Sequence, residues 1–448
     1  MSIDFINKVS REVLERNSVD RELYAQLDVK RGLRNADGSG VLAGLSKISG
    51  VIGTQKTDGK LIPVDGQLRY RGIDIVDIVE GIQKEQRRGF GEVTYLLLFG
   101  KLPTAAELQE YEANLYPRMK LPNRLIAANI LQYTSPNVMN ALQRVTLALY
   151  TLDENPEDTS IPNVIRQSLE LLAKFPAIIA YSYLALRHQF HGEALYLNPP
   201  RSDYDIAQNF LHMLRPTGQF TELEAQILDL ALVLHAEHGG GNNSTFAVHV
   251  LSSSLTDTYS AMAAAVGSLK GPLHGAANAN VMAMMRNIKE NVKDWADREE
   301  VAAYIEKIVR KEAHNRTGLV YGLGHAVYTK SDPRAIILNR KARELAAVKG
   351  RLDEFDLYQT VAEVTPGAFA KVKQSGKVIA PNVDYFSGFV YDMLGFPEEI
   401  YTPLFAMARV AGWSAHRLDE IINGGRIIRP AYRSVAEPQK YLPMSERS

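Results

Sequence analysis

The chain has 448 residues, with 51 basic against 51 acidic side chains and no cysteine. Zero net charge argues against nucleic acid as the main partner, because phosphate binding leaves a basic excess. Without cysteine there is no disulfide framework, thiolate nucleophile, thiolate zinc site or Fe–S cluster.

The first residues, MSIDFINKVSREVLERN, carry charges from Asp4 onward, so they read as a helix over residues 2–16 and not as a signal peptide. Strand signal is confined to residues 48–72, where Asp58-Gly59 and Asp65-Gly66 mark turns between short segments at 60–64 and 67–70. Thr104 and Glu107 form a capping box after Pro103. Ser135-Pro136 reads as an N-cap and first-turn proline ahead of the stripe Val138, Leu142, Val145 and Leu149. A long helix is expected over 165–187, and Thr221 with Glu224 opens another through a second capping box. The Ala-, Gly- and Met-rich stretch 259–285 suits close helix packing. Crossed by Lys270 and His274, it falls short of the roughly 20 apolar residues of a membrane span. Residues 286–363 are richer in charge, which points to a second lobe, and a last long helix is expected over 397–418. The chain therefore reads as all-α with a minor β-hairpin near the N-terminus, cytoplasmic, with no membrane partner.

Six of the ten histidines fall between His235 and His325. His235 and His238 stand at i, i+3 where Gly239, Gly240 and Gly241 stop a helix. There His238 suits a hydrogen bond to an anionic ligand, while an HxxH metal pair and a plain helix cap stay open as alternatives. His274, in Gly271-Pro272-Leu273-His274-Gly275, reads either as a neutral donor near a helix start or as a structural histidine. Tyr321-Gly322-Leu323-Gly324-His325 lacks a preceding strand and a third glycine, which excludes a dinucleotide fingerprint; its glycines would let a ligand approach the backbone. Asp384 follows Pro381-Asn382-Val383 at a loop–helix junction, as an N-cap or as a general base. Arg409 lies on an otherwise apolar helix, and Arg429 in a basic C-terminal segment. An arginine on an apolar face needs a carboxylate or phosphate partner.

In their order and spacing these segments resemble the citrate synthase family. The likeness runs from Leu68-Arg69-Tyr70-Arg71-Gly72 to Ile428-Arg429-Pro430 and includes GPLHG at 271–275, GHAVY at 324–328 with DPR at 332–334, and NVD at 382–384 with a following SG. The resemblance implies a helical homodimer, with a large domain at residues 1–276 and 389–448 and a small domain at 277–388 that closes over substrate. It implies condensation of acetyl-CoA with oxaloacetate and water to citrate and CoA, with no metal and no permanently bound cofactor. His274, His325 and Asp384 match the catalytic residues. His238, Arg334, Arg409 and, from the partner subunit, Arg429 match the oxaloacetate ligands. Leu273, Val320, Gly322, Leu323, Ala326, Lys377 and Asn382 fall on the CoA contact positions. Thr329 stands where some members carry a phosphate-binding arginine, which leaves Lys330 or Lys377 for that charge. A 2-methylcitrate synthase acting on propionyl-CoA would carry the same catalytic set, because one methylene changes binding by only about 1–3 kcal/mol. A helical scaffold or metal-binding protein built on His235 and His238 is the alternative of a different class.

Overall fold

A computed structural model describes residues 2–57, 60–374 and 379–447. The chain divides into two compact units, Met1–Leu45 and Ser46–Ser448. The first holds the helix Ile3–Asn17, on which Ile3, Phe5, Val13 and Leu14 are exposed, and the short helix Glu22–Gln26.

The second unit is helical apart from one antiparallel sheet of three strands, β1 (Ser49–Thr57), β2 (Lys60–Tyr70) and β3 (Ile73–Asp74). Ser49 pairs with Tyr70 and Val51 with Leu68, and the register shifts between Ile52 and Thr54. The expected turn at Asp65-Gly66 is absent, because β2 runs straight through it. Gly66 is in strand because Ser331 and Tyr328 press on its backbone, leaving no room for a side chain, and its N–H donates to Ser331 Oγ at 3.2 Å. The Asp58-Gly59 turn lies outside the described residues. Leu68 and Tyr70 are buried, and the Tyr70 hydroxyl donates to Val233 O at 3.0 Å while the N–H of Glu237 reaches it at 3.3 Å. The sheet is thereby tied to the end of the helix that carries the first histidine motif.

Both capping boxes form, Thr104 with Glu107 on Ala105–Leu115 and Thr221 with Glu224 on Glu222–His235. The cap of Val138–Leu149 is Asn137 and not Ser135, whose hydroxyl instead accepts the N–H of Asn137. The most apolar long helix is Ile161–His191, extending the expected 165–187 at both ends. It is long and apolar enough to cross a membrane, yet most of it is buried among other helices as the spine of the core. The 259–285 stretch is broken at Gly271-Pro272 into Thr258–Lys270, Pro272–Gly275 and Ala277–Asn291. The last helix, Tyr401–Asn423, is buried over most of its length, including Arg409, His416 and Arg417. Arg417 is satisfied there by Thr258 Oγ1, Ser252 Oγ and Thr256 O.

Candidate active site

A cavity of about 150 Å³ opens where the C-terminal end of Glu222–His235, the short helix Pro272–Gly275, the 318–332 loop, the start of the helix Pro333–Lys349 and the helices Val383–Met393 and Tyr401–Asn423 converge. His235, His238, His274, His325, Arg334, Asp384 and Arg409 all line it. Seven residues spread over 175 positions of sequence thus share one small space, and the charges they bring decide its character.

His235 is the last residue of its helix, whereas His238 lies beyond it in the glycine turn. The two therefore do not share a helix face, although both reach the cavity. Burial, with Arg334 close by, holds both imidazoles well below their ordinary pKa, so both are neutral. His325 is partly buried and stacks on the Tyr328 ring at 4.8 Å. Its Nδ1 accepts the backbone N–H groups of Val327 at 3.0 Å and Tyr328 at 3.1 Å. The neutral ring then carries its proton on Nε2, as a donor. Desolvation and Arg334 push its pKa down to about 4.

His274 Nε2 lies 3.2 Å from Ser244 Oγ. The same oxygen receives the indole N–H of Trp413 at 3.2 Å and donates to Asn242 Oδ1 at 2.9 Å. Burial and Arg409 hold His274 at about 4, again neutral at physiological pH.

Asp384 is not the N-cap of its helix. Asn382 takes that place, with Oδ1 accepting the N–H of Asp384 at 3.0 Å, so the Asp384 carboxylate is released from the capping role that the sequence left open. Desolvation lifts its pKa to about 6, against the pull of Arg334 and Arg409. Asn382 also donates from Nδ2 to Gly324 O at 2.9 Å, and its N–H donates to Gly322 O at 2.9 Å, so it ties the His325 loop to the Asp384 helix.

Arg334 is buried and forked onto Asp332, with Nε to Oδ1 at 3.0 Å and Nη2 to Oδ2 at 2.8 Å. Asp332 Oδ2 also accepts the N–H of Val383 at 3.3 Å, so one carboxylate aligns an arginine and the start of the Asp384 helix. Burial opposes the charge on Arg334, but Asp332 outweighs it and keeps the guanidinium protonated. Arg409 differs. It is fully buried over the Phe405 ring, its Nε donates to His235 O at 2.7 Å, and neither Nη1 nor Nη2 has a partner among the described residues. Burial lowers its pKa to about 10, which still leaves it charged. An unpaired buried guanidinium costs several kcal/mol unless an anion completes it.

The remaining expected residues are spread around this core. Leu273 is fully exposed beside His274, Val320 is buried, Leu323 is partly buried and Ala326 is exposed. Gly322 has φ +78° and a Cβ there would meet Val281 at 2.7 Å and Tyr385 at 2.8 Å, so protein packing already requires this glycine. Gly324 has φ +96° with open space around it. Lys377 lies outside the described residues. Arg429 is exposed on the C-terminal segment, away from the cavity of its own chain; nearby, the N–H of Ile428 donates to Ser253 Oγ. Sequence reasoning passed over Ser244, Tyr328 and Phe405. Tyr328 stands within the GHAVY motif and Phe405 one helical turn before Arg409, whereas nothing signalled Ser244.

A cavity with neutral imidazole donors, one carboxylate lifted toward neutrality and two guanidiniums defines an enzyme of acid–base chemistry on an anionic substrate. The family model for the citrate synthase C-terminal domain matches residues 36–431. Citrate synthase of Synechocystis sp. is 38% identical over 422 residues, covering 91% of this chain and 93% of its own. 2-Methylcitrate synthase 1 of Corynebacterium glutamicum is 33% identical over 412 residues, covering 90% and 98%. Among solved structures, citrate synthase of Thermoplasma acidophilum in ternary complex with carboxymethyl coenzyme A and oxaloacetate is 28% identical. It aligns with a TM-score of 0.74 over 94% of this chain and 99% of that one. The chain belongs to the citrate synthase family. It is an acyltransferase of the condensing kind.

Proposed function

We propose that the substrates are acetyl-CoA and oxaloacetate and that His238, His274, His325, Arg334, Asp384 and Arg409 divide the work between them. The observation that carries this reading is Arg409, whose two unpartnered Nη groups face a cavity beside neutral histidines and a raised carboxylate. An oxaloacetate carboxylate completes Arg409, a second is met by Arg334, and His238 hydrogen-bonds the same substrate. Arg429 of a partner subunit adds a third guanidinium, in a homodimer located in the cytoplasm.

Asp384 removes a proton from the thioester methyl group. A thioester methyl is a weak acid, so a carboxylate succeeds only if the enol oxygen is stabilised as it forms. His274 supplies that donor. If Asn242 turns its amide NH₂ to Ser244, the serine proton goes to His274 Nε2 and Nδ1–H faces the thioester oxygen. The enol carbon attacks the ketone carbon of oxaloacetate, and the ketone oxygen takes a proton from His325 Nε2–H. Two backbone N–H donors on Nδ1 stabilise the electron density left on the ring. Water then cleaves the thioester to give citrate and CoA. Leu273, Val320, Gly322, Leu323, Ala326, Lys377 and Asn382 form the CoA side of the site. Closure of a lobe at residues 277–388 excludes water during enolisation.

The test is thiol release from acetyl-CoA and from propionyl-CoA, each with and without oxaloacetate. Oxaloacetate-dependent release with acetyl-CoA as the better substrate is expected. Faster release from propionyl-CoA would assign the chain to 2-methylcitrate formation, and no release with either would overturn the reading.

A further inference from the structure

Behind the cavity, four titratable side chains that the proposed chemistry does not use stand in a line. Glu420 Oε2 is 2.7 Å from His249 Nδ1, His249 Nε2 is 3.0 Å from His416 Nδ1, and His416 Nε2 is 2.9 Å from Glu237 Oε1. His416 and Glu237 are fully buried, whereas the side chains of His249 and Glu420 are each 14% exposed, so the line runs from the surface to the residue preceding His238. Glu237 Oε1 also accepts Ser49 Oγ at 2.8 Å and the N–H of Gly239 at 2.5 Å. It therefore clamps both sides of the turn that presents His238.

The three contacts of this line are hydrogen bonds only if each holds one proton. Two neutral imidazoles between two carboxylates supply two protons, which would leave a pair of nitrogen lone pairs, or an imidazole lone pair and a carboxylate, face to face. The observed geometry therefore requires a third proton. Wherever it sits, the four groups together carry one net negative charge.

We propose that this shared third proton is a structural part of the oxaloacetate site, and that His416 is a positioning residue acting through Glu237. The rest of this inference rests on the functional reading above. With the proton in place, His416 holds Glu237 on the Ser49 and Gly239 donors. Burial alone would raise the Glu237 pKa, but His416, Arg409 and Ser49 outweigh it and hold it at about 2, as a carboxylate. When the proton leaves, one contact of the line must break. Glu237, whose Oε2 is already unpartnered, is then free to turn to the unpartnered arms of Arg409 and compete with the substrate carboxylate.

Charged and polar groups from several elements surround the line. Arg409 and Asp419 share the helix of His416 and Glu420. Arg71 follows β2 and feels both Asp419 and Glu237, while the Tyr70 hydroxyl contacts the Glu237 backbone. Gly240 abuts the two rings and adds no charge. Burial and the charge of His416 hold the His249 pKa below its ordinary value, against the pull of Glu420 and Asp419. On His249 alone the extra proton is disfavoured, and it is the hydrogen-bond geometry of the line that calls for it.

The proton-loaded line favours oxaloacetate, so affinity falls as pH rises and the proton is lost. The first measurement needs no substrate: nitrogen-edited proton NMR of the histidine side chains in the full chain. A strongly deshielded imidazole proton is expected, lost on alkaline titration and absent in His249→Gln, whose amide donates to His416 without titrating. The second is the KM for oxaloacetate against pH. In the wild type it should rise about tenfold over the titration while kcat stays level. In His249→Gln it should stay flat, and in Glu420→Gln, a partly exposed change that removes the outer carboxylate, the rise should move to lower pH. Absence of the deshielded proton overturns the inference, as does its loss with no change in KM. A chain with no oxaloacetate-dependent turnover would instead sink the functional reading, and the NMR result stands apart from it.

Discussion

Asp384 shows how one side chain's surroundings set its chemistry. Its carboxylate is not needed as a cap, because Asn382 holds that place, and burial in the cavity wall raises its pKa to about 6. A base works only when ionised, so kcat/KM for acetyl-CoA at saturating oxaloacetate should rise with pH through about 6 and level off above it. His274 and His325 are neutral donors above about 4, and they add no further acid limb in that window. Asp384→Asn keeps the shape and removes the base. Its turnover should fall at least ~100-fold, while calorimetry finds the oxaloacetate Kd within about twofold of wild type. A variant that keeps most of its turnover would remove Asp384 from this role. The sequence singled out the seven histidine, arginine and aspartate residues that line the cavity, but not Tyr391, Tyr401 or Phe405 beside them. Most of the seven stand in short strings of glycine, histidine and proline that carry their chemistry locally. The line from Glu237 to His416 was not legible in the same way. Its two ends lie 179 positions apart, and nothing near either one signals the other.

At the scale of elements, local rules succeeded where the contacts are local and failed where distant packing decides. Thr104 and Thr221 form their capping boxes because a hydroxyl and a glutamate three residues apart satisfy each other without outside help. Asp65-Gly66 has the composition of a turn, yet the 328–331 loop lies against Gly66 and keeps it in strand. The same distinction separates two glycines of the His325 loop. Gly322 has φ +78° and no room for a methyl group between Val281 and Tyr385, whereas Gly324 has φ +96° in open space. Gly322→Ala should therefore add a packing clash to backbone strain and cost about 2–4 kcal/mol. It should also lower kcat, because the loop it displaces is hydrogen-bonded to Asn382 at the head of the Asp384 helix. Gly324→Ala should cost about 1 kcal/mol, from strain alone. Urea unfolding midpoints for the two variants check the order, and equal losses would mean that Gly322 is needed only for its backbone angles.

At the scale of the whole molecule the outstanding charge is Arg429. The opening balance of 51 against 51 conceals a local excess, since the cavity collects Arg334 and Arg409 against one free carboxylate. Arg334 is already forked onto Asp332, so Arg409 is the guanidinium with two arms to spare, and a dianionic substrate calls for a further cation. Arg429 is exposed on the segment after the last helix and does not reach the cavity of its own chain. If a second subunit supplies it, two defective chains should repair each other. Asp384→Asn and Arg429→Gln should each be poorly active alone. In a mixed dimer, the site with an intact Asp384 receives an intact Arg429 from the Asp384→Asn chain, and the other site carries both defects. Random mixing makes about half of the dimers mixed, each with one working site of two, so co-refolding equal amounts should restore about a quarter of wild-type activity. If Arg429 instead served its own chain, every site in every dimer would keep one defect, and mixing would restore nothing.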